Sequence, residues 1–241
     1  MSLRLVLLGP PGSGKGTLAE LIEQHLTITH LSTGDLFRQE IKRGSALGKT
    51  VSRYVTEGRL VPDELVVRVM TRRLSASQLT RGFVLDGFPR TVGQATGLQT
   101  FLAGKRRMLT GVVYLVCPIS LSIDRLGGRL VCSTCGLIYH VRNKPPKRAG
   151  FCDQCHGRLV VRKDDARSTI AKRLRIDKAE AAPLLMYYRR QGLLHRLNGV
   201  GTGPEVFDRA RRLFRTLGWL PQDSTTCGSR QHTSSCCEEL P

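Results

Sequence analysis

At 241 residues, 40% hydrophobic and 24% charged, the chain is long enough to bury a substantial core, which excludes a peptide or a disulfide-stapled mini-protein. Its 38 lysines and arginines against 19 aspartates and glutamates give a formal net charge of +19, so its partners are sought among anions: nucleic acid, anionic membrane or phosphorylated small molecules. No stretch approaches the roughly 20 apolar residues of a membrane span and the first apolar run is too short for a signal peptide, so the expected location is the cytoplasm, with no membrane partner.

In chain order, Leu3 to Leu8 is an apolar run that reads as a strand, followed by a Gly- and Pro-rich loop and a helical pattern from Thr17 to Ile22. A short strand is expected near His30, a helix over Pro62 to Leu74, and further strands over Gly82 to Gly87 and Val112 to Val116. Between Gly127 and Asp165 cysteines, Pro145-Pro146 and Gly150 interrupt the periodicity, which predicts a small insertion. Two helices follow, Ala166 to Ala179 and Ala181 to Gln191, then a strand over Leu193 to Leu197. The last helix carries Val206, Phe207, Ala210, Leu213, Phe214 and Leu217 on one face. Apolar strands alternating with helices predict an α/β fold: a three-layer parallel sheet of about five strands with helices on both faces. The polar segment 221–241, with Cys227, Cys236 and Cys237, is expected to stay disordered.

Gly9-Pro10-Pro11-Gly12-Ser13-Gly14-Lys15 matches the GxxxxGK part of a P-loop and stands where the mechanism requires it, between a strand and a helix. Glycines let successive N–H groups curl around phosphate oxygens, the helix N-terminus adds positive potential, and Lys15 reaches the terminal phosphates. Gly16 replaces the usual Ser or Thr, and Thr17 follows.

That GKGT ending, with Leu31-Ser32-Thr33-Gly34-Asp35-Leu36-Phe37-Arg38, Leu85-Asp86-Gly87-Phe88-Pro89-Arg90-Thr91, Asp124-Arg125, Gly128-Arg129, Arg162-Lys163-Asp164-Asp165 and Lys172-Arg173-Leu174, resembles the adenylate kinases among the P-loop nucleoside monophosphate kinases. The resemblance runs from residue 1 to about 218 in the family's order. It implies a core of residues 1–31, 62–126 and 165–220, an AMP-binding helical insert over 32–61 and a lid over 127–164. The implied activity is reversible phosphoryl transfer from MgATP to AMP, giving two ADP, by a monomer without a specific nucleic-acid partner.

By the same resemblance Gly12, Ser13, Gly14, Lys15, Gly16, Thr17, Arg125, Arg129, Ile138 and Tyr139 hold ATP. Thr33, Arg38, Arg59, Leu60, Val61, Gly87, Phe88, Pro89, Arg90, Gln94, Arg162 and Arg173 hold AMP. Lys15, Arg90, Arg129, Arg162 and Arg173 neutralise the migrating charge, Asp86 orders the water shell of Mg²⁺, and Asp35 assists at longer range. Arginine suits this work because its planar fork binds phosphate bidentately and stays charged. Without substrates, the like charges of Arg129, Arg162 and Arg173 are expected to repel and favour an open site. Leu130 departs from the family, where a second arginine usually follows the first.

Cys132-x-x-Cys135 and Cys152-x-x-Cys155, sixteen residues apart, have the spacing of a four-cysteine structural Zn²⁺ site within the lid, with Gly136 and Gly157 easing the turns; two disulfides or four free thiols are the competing readings. Cys117 is expected to be a buried strand thiol. Two further readings of function stand beside the first. One is a GTP:AMP phosphotransferase of the same fold; the other is a basic zinc-ribbon nucleic-acid-binding protein, which leaves the P-loop unexplained.

Overall fold

The computed structural model describes residues 2–222; the part of the expected polar tail from 223 onward, with its three cysteines, lies outside them. Strands and helices alternate as β1 (Arg4–Leu8), α1 (Lys15–Leu26), β2 (Thr29–Ser32), α2 (Thr33–Arg43), α3 (Ala46–Thr56), α4 (Asp63–Arg73), α5 (Ala76–Arg81), β3 (Phe83–Asp86), α6 (Val92–Gly104), β4 (Gly111–Val116) and α7 (Ile119–Gly127). They continue with β5 (Arg129–Cys132), β6 (Ile138–His140), β7 (Leu159–Val160), α8 (Arg167–Arg190), β8 (Leu194–Asn198) and α9 (Gly203–Thr216).

The main sheet is five-stranded, in the order β2-β3-β1-β4-β8, and every pairing is parallel. Its central strand is apolar on both faces, as a parallel strand covered by helices must be. Val6 and Leu8 pack with Met70, Leu98 and Tyr188, whereas Leu5 and Leu7 pack with Leu18, Ile22 and Phe207. The ends of β1 and β3 thereby bring the glycine loop and Asp86 side by side at the C-terminal edge of the sheet, where open α/β sheets bind ligands.

Two helices, α2 and α3, occupy the stretch between β2 and α4 and pack on each other. After α7 the chain forms a small antiparallel sheet in the order β6-β5-β7, around Cys132, Tyr139 and Cys152. Among the described residues no helix is long and apolar enough to cross a membrane.

Two expectations need correction. The two helices expected over 166–191 are one, α8, running through Pro183. Proline costs that helix one backbone hydrogen bond, but Leu184 and Tyr188 just beyond it are buried in the core, and their packing carries the helix past the defect. Cys117 lies after β4, not within it, and is only partly buried; its Sγ accepts from the Ser122 hydroxyl at 3.5 Å. Both glycines expected to ease the cysteine turns do so, Gly136 by a left-handed backbone with φ 81° and Gly157 by lacking a side chain, beside His156 with φ 56°.

The edge of the sheet is closed by Trp219, which packs on His195 and Phe214 at ring-centroid distances of 5.1 and 5.4 Å. A Cβ on Gly111 would land inside its indole ring. Gly111→Ala is therefore expected to destabilise the protein by about 2–3 kcal/mol and to shift the fluorescence of this single tryptophan, both read in one denaturant titration. Unchanged stability and emission would contradict this packing.

Candidate active site

The phosphate loop is shaped by glycines that cannot be exchanged. Gly9, Gly12 and Gly14 have φ of 143°, 82° and 97°, and a Cβ on Gly12 would lie 2.5 Å from the carbonyl oxygen of Ser122. Gly14 then opens α1 without any side-chain cap, which leaves the helix's first N–H groups free to meet an anion. Lys15 curls over the loop, its Nζ donating to the carbonyls of Gly9 at 2.5 Å and Pro10 at 2.9 Å. Burial pushes its ammonium below the ordinary lysine range, although Asp86 and Asp177 favour the charge.

Around this loop lies a cavity of about 870 Å³. Gly12, Ser13, Gly14, Lys15, Gly16 and Thr17 form its floor. Arg38 enters from α2, Leu60 from the segment after α3, and Asp86, Gly87, Pro89 and Arg90 from the end of β3. Arg125 comes from α7, Arg129, Ile138 and Tyr139 from the small sheet, and Arg162 and Arg173 from the segment leading into α8 and from α8 itself. Arg125 fixes the back wall, donating to the carbonyls of Ser13 at 3.2 Å, Gly199 at 3.0 Å and Gly201 at 2.7 Å.

Five candidate residues sit outside the lining. Thr33 is buried behind it, its hydroxyl donating to the Gly87 carbonyl at 2.8 Å. Gln94 is buried too; its amide donates to Asp63 Oδ1 at 2.8 Å and accepts from the Arg90 N–H at 2.8 Å, so it braces the backbone of Arg90. Val61 and Phe88 belong to the core, and Arg59 turns outward to Glu57 at 3.3 Å.

The arginines are held together by carboxylates. Asp165, with a fully buried side chain, accepts a two-pronged contact from Arg129 at 2.7 and 2.5 Å and another bond from Arg173 at 2.9 Å. Asp164 receives Arg173 at 3.1 Å and faces Arg38 at 3.8 Å. Asp35 receives Arg38 at 2.6 Å and Arg162 at 3.5 Å. The expected mutual repulsion of Arg129, Arg162 and Arg173 is thus largely offset by neighbouring carboxylates. It survives at Arg162, whose guanidinium is lowered to about 10 by burial and then by Arg38 and Arg129, and whose Nε is buried without a partner. Such a donor is ready for an incoming anion.

In the small sheet the Sγ atoms of Cys132, Cys135, Cys152 and Cys155 all lie within 4.8 Å of one another. The approaches of Cys132 to Cys155 and Cys135 to Cys152, at 3.4 and 3.6 Å, are far longer than a disulfide bond and suit four thiolates around one ion. The Tyr139 hydroxyl, then backbone N–H groups, hold the Cys152 thiol below the usual thiol range, while burial and the neighbouring cysteines push the Cys135 thiol up. A Cβ on Gly157 would come within 2.9 Å of Cys132 Sγ, so this turn requires glycine to close.

Known proteins resemble the chain over most of its length. The family model described as adenylate kinase matches residues 7–193. The adenylate kinase of Moorella thermoacetica is 48% identical over 204 residues, 85% of this chain and 94% of that protein. Those of Carboxydothermus hydrogenoformans and Clostridium botulinum are 45% and 43% identical over 205 residues, again 85% of this chain and 96% and 95% of theirs. The chain belongs to the adenylate kinase family. It is an enzyme of the nucleoside monophosphate kinase class, a phosphotransferase.

Sequence reasoning had quoted Asp164 and Asp165 within a family motif without giving them a role. Two acids following Arg162-Lys163 were the available signal, since a carboxylate pair among converging cations is a ready counter-charge. It also missed Asp177 and the loop from Gly199 to Glu205, which line the same cavity. Three glycines at alternate positions after β8, Gly199, Gly201 and Gly203, marked that loop as a place of close approach.

Burial alone would raise the Asp35 carboxyl; Arg38 and then Arg162 overcome this and hold it at about 2, against an ordinary 3.8. A depressed carboxylate stabilises the fold above its unfolded value and loses that contribution as the pH falls toward its folded value. Its side chain is 47% exposed, so screening reduces the effect to about 1 kcal/mol. Asp35→Asn is expected to lose that much stability near neutrality and progressively less from about pH 4 to pH 2, measured by denaturant unfolding across the range. An equal loss at both ends would contradict the pairing.

Proposed function

We propose that the chain catalyses reversible phosphoryl transfer from MgATP to AMP, giving two ADP. The observation that carries this reading is the single cavity in which the uncapped α1 N-terminus and Lys15 meet Arg38, Arg90, Arg129, Arg162 and Arg173. Transfer between two anionic substrates needs little covalent chemistry; it needs both phosphates in line and their charge neutralised away from water. Arg38 and Arg90 grip the AMP phosphate, while Arg129, Arg162 and Arg173 follow the group as it moves. Lys15 bridges donor and transferred phosphate. No general base is required, because an AMP phosphate oxygen is already an anionic nucleophile.

The donor base lies over the wall that Arg125 and the Gly199 to Glu205 loop form together, bordered by Ile138 and Tyr139. The acceptor base is taken up beside Leu60, Gly87 and Pro89, with Thr33 and Gln94 bracing that wall. Residues 32–61 and 127–164 act as two covers over the core, released from their own carboxylate contacts when phosphates arrive. Asp86 faces the loop with no ion pair of its own among the described residues, which suits it to hold waters around Mg²⁺. When bound, that ion offsets phosphate charge. Cys132, Cys135, Cys152 and Cys155 would hold one Zn²⁺ with no open position, a structural role that supports the lid.

Lys15→Met and Arg90→Ala are each expected to lower kcat by about 10²–10³-fold or more while leaving the thermal transition in place. A coupled assay of ADP formation checks this; wild-type turnover in either folded variant would sink the reading.

Protein purified under reducing conditions is expected to contain about one zinc per chain. Cys152→Ser should lose the metal and leave the lid open to protease, with AMP affinity little changed. Metal-free wild-type protein with a protease-resistant lid would overturn the zinc assignment.

A further inference from the structure

Helix α8 turns one face into the cavity, and Arg173, Asp177, Glu180 and Leu184 stand on it at helical spacing. Asp177 would ordinarily pair with Arg173, four residues before it. Arg173 is diverted: its Nη1 donates to the Asp164 carbonyl at 3.0 Å and contacts the Asp164 and Asp165 carboxylates at 3.1 and 2.9 Å. Asp177 is left facing the cavity with no cation within 4.0 Å among the described residues.

The groups around it come from every wall. Lys15 stands at the start of α1, Asp86 at the end of β3, Arg90 in the following loop and Tyr114 on β4, with Arg173 and Glu180 on its own helix. Lys15, Arg90 and Arg173 are three of the cations that the proposed reaction assigns to phosphate. A carboxylate among them balances their charge in the free enzyme and opposes the arrival of more negative charge.

We propose that Asp177 counterbalances these cations in the free enzyme and surrenders its charge, by taking one proton from solution onto a carboxylate oxygen, when nucleotide phosphates bind. The proposal rests on the reading of the cavity as a nucleotide-phosphate site. Burial already raises this carboxyl above the ordinary aspartate range, against the pull of Lys15, Arg90 and Arg173. Phosphate oxygens drawn to the same cations weaken that pull and add repulsion, so both effects favour the neutral acid. Asp177 is thereby a charge-setting residue that trades affinity for release, with no bond to the transferred group.

The test is calorimetric titration with a bisubstrate analogue, two adenosines joined by a polyphosphate, in two buffers of different ionisation enthalpy. Wild type and Asp177→Asn are compared between about pH 6 and pH 8, so that protons of the analogue's own phosphates cancel. Wild type is expected to take up more protons than the variant. Asp177→Asn should bind about tenfold more tightly at the upper pH, with the gap closing toward the lower one. Asp177→Glu should restore the proton uptake, and thermal melting of all three excludes a folding defect. Equal proton counts in wild type and Asp177→Asn, or equal or weaker binding by that variant, would overturn the proposal. Failure of wild type itself to bind the analogue would instead remove the nucleotide-site reading, and this proposal with it.

Discussion

Concentrating guanidinium groups in one partly dry cavity is the constraint on which the rest of this structure depends. Arg38, Arg129, Arg162 and Arg173 come from the α2 helix, the small sheet, the segment between β7 and α8, and α8, and without counter-charge they would drive those pieces apart. Asp35, Asp164 and Asp165 supply it, each touching at least two of these arginines within 4.0 Å. Asp164 and Asp165 are adjacent and buried, so one short segment ties the small sheet, α2 and α8 to a common point. A buried ion pair is weak evidence for stability but a good device for fixing geometry, and geometry is what phosphoryl transfer demands.

The phosphate loop solves a related problem with backbone alone. Its glycines take conformations or approaches denied to other residues, and the uncapped helix start turns its N–H groups toward the same space. Small residues recur wherever backbone must pass close to function: Gly58 against Arg173, Gly12 against Ser122, Gly157 against Cys132. In the small sheet the buried residues of the apolar cluster are Cys132, Tyr139 and Cys152, with only Leu130, Leu137 and Leu159 packed against them, so a metal held by the cysteines would add folding energy to sparse packing.

Much of this was legible in the sequence. The apolar runs 3–8, 82–87 and 112–116 marked three parallel strands because such strands are buried on both faces and show it as continuous hydrophobicity. The weaker strands at Thr29 and Leu194 lie at the two edges of the sheet, where polar residues intrude. Two helices with a break at residue 180 are expected where α8 runs unbroken through Pro183, held by the tertiary packing of Leu184 and Tyr188, which the local pattern does not encode. The arginines were recognisable from motif, but their partners were not. Which carboxylate answers which arginine depends on three segments meeting in space, and spacing along the chain does not encode that. Gln94 illustrates the same limit: the hydrogen bonds of its amide to Asp63 and the Arg90 backbone join segments that are far apart along the chain.

The central claim is that substrate phosphates replace carboxylates as partners of the same arginines. The most direct measurement is a crystal structure with a bisubstrate analogue bound. The account predicts phosphate oxygens within hydrogen-bond distance of Arg38, Arg90, Arg129, Arg162 and Arg173, with the buried Nε of Arg162 no longer orphaned. Phosphates lodged elsewhere, with those arginines making only their contacts to Asp35, Asp164 and Asp165, would contradict it.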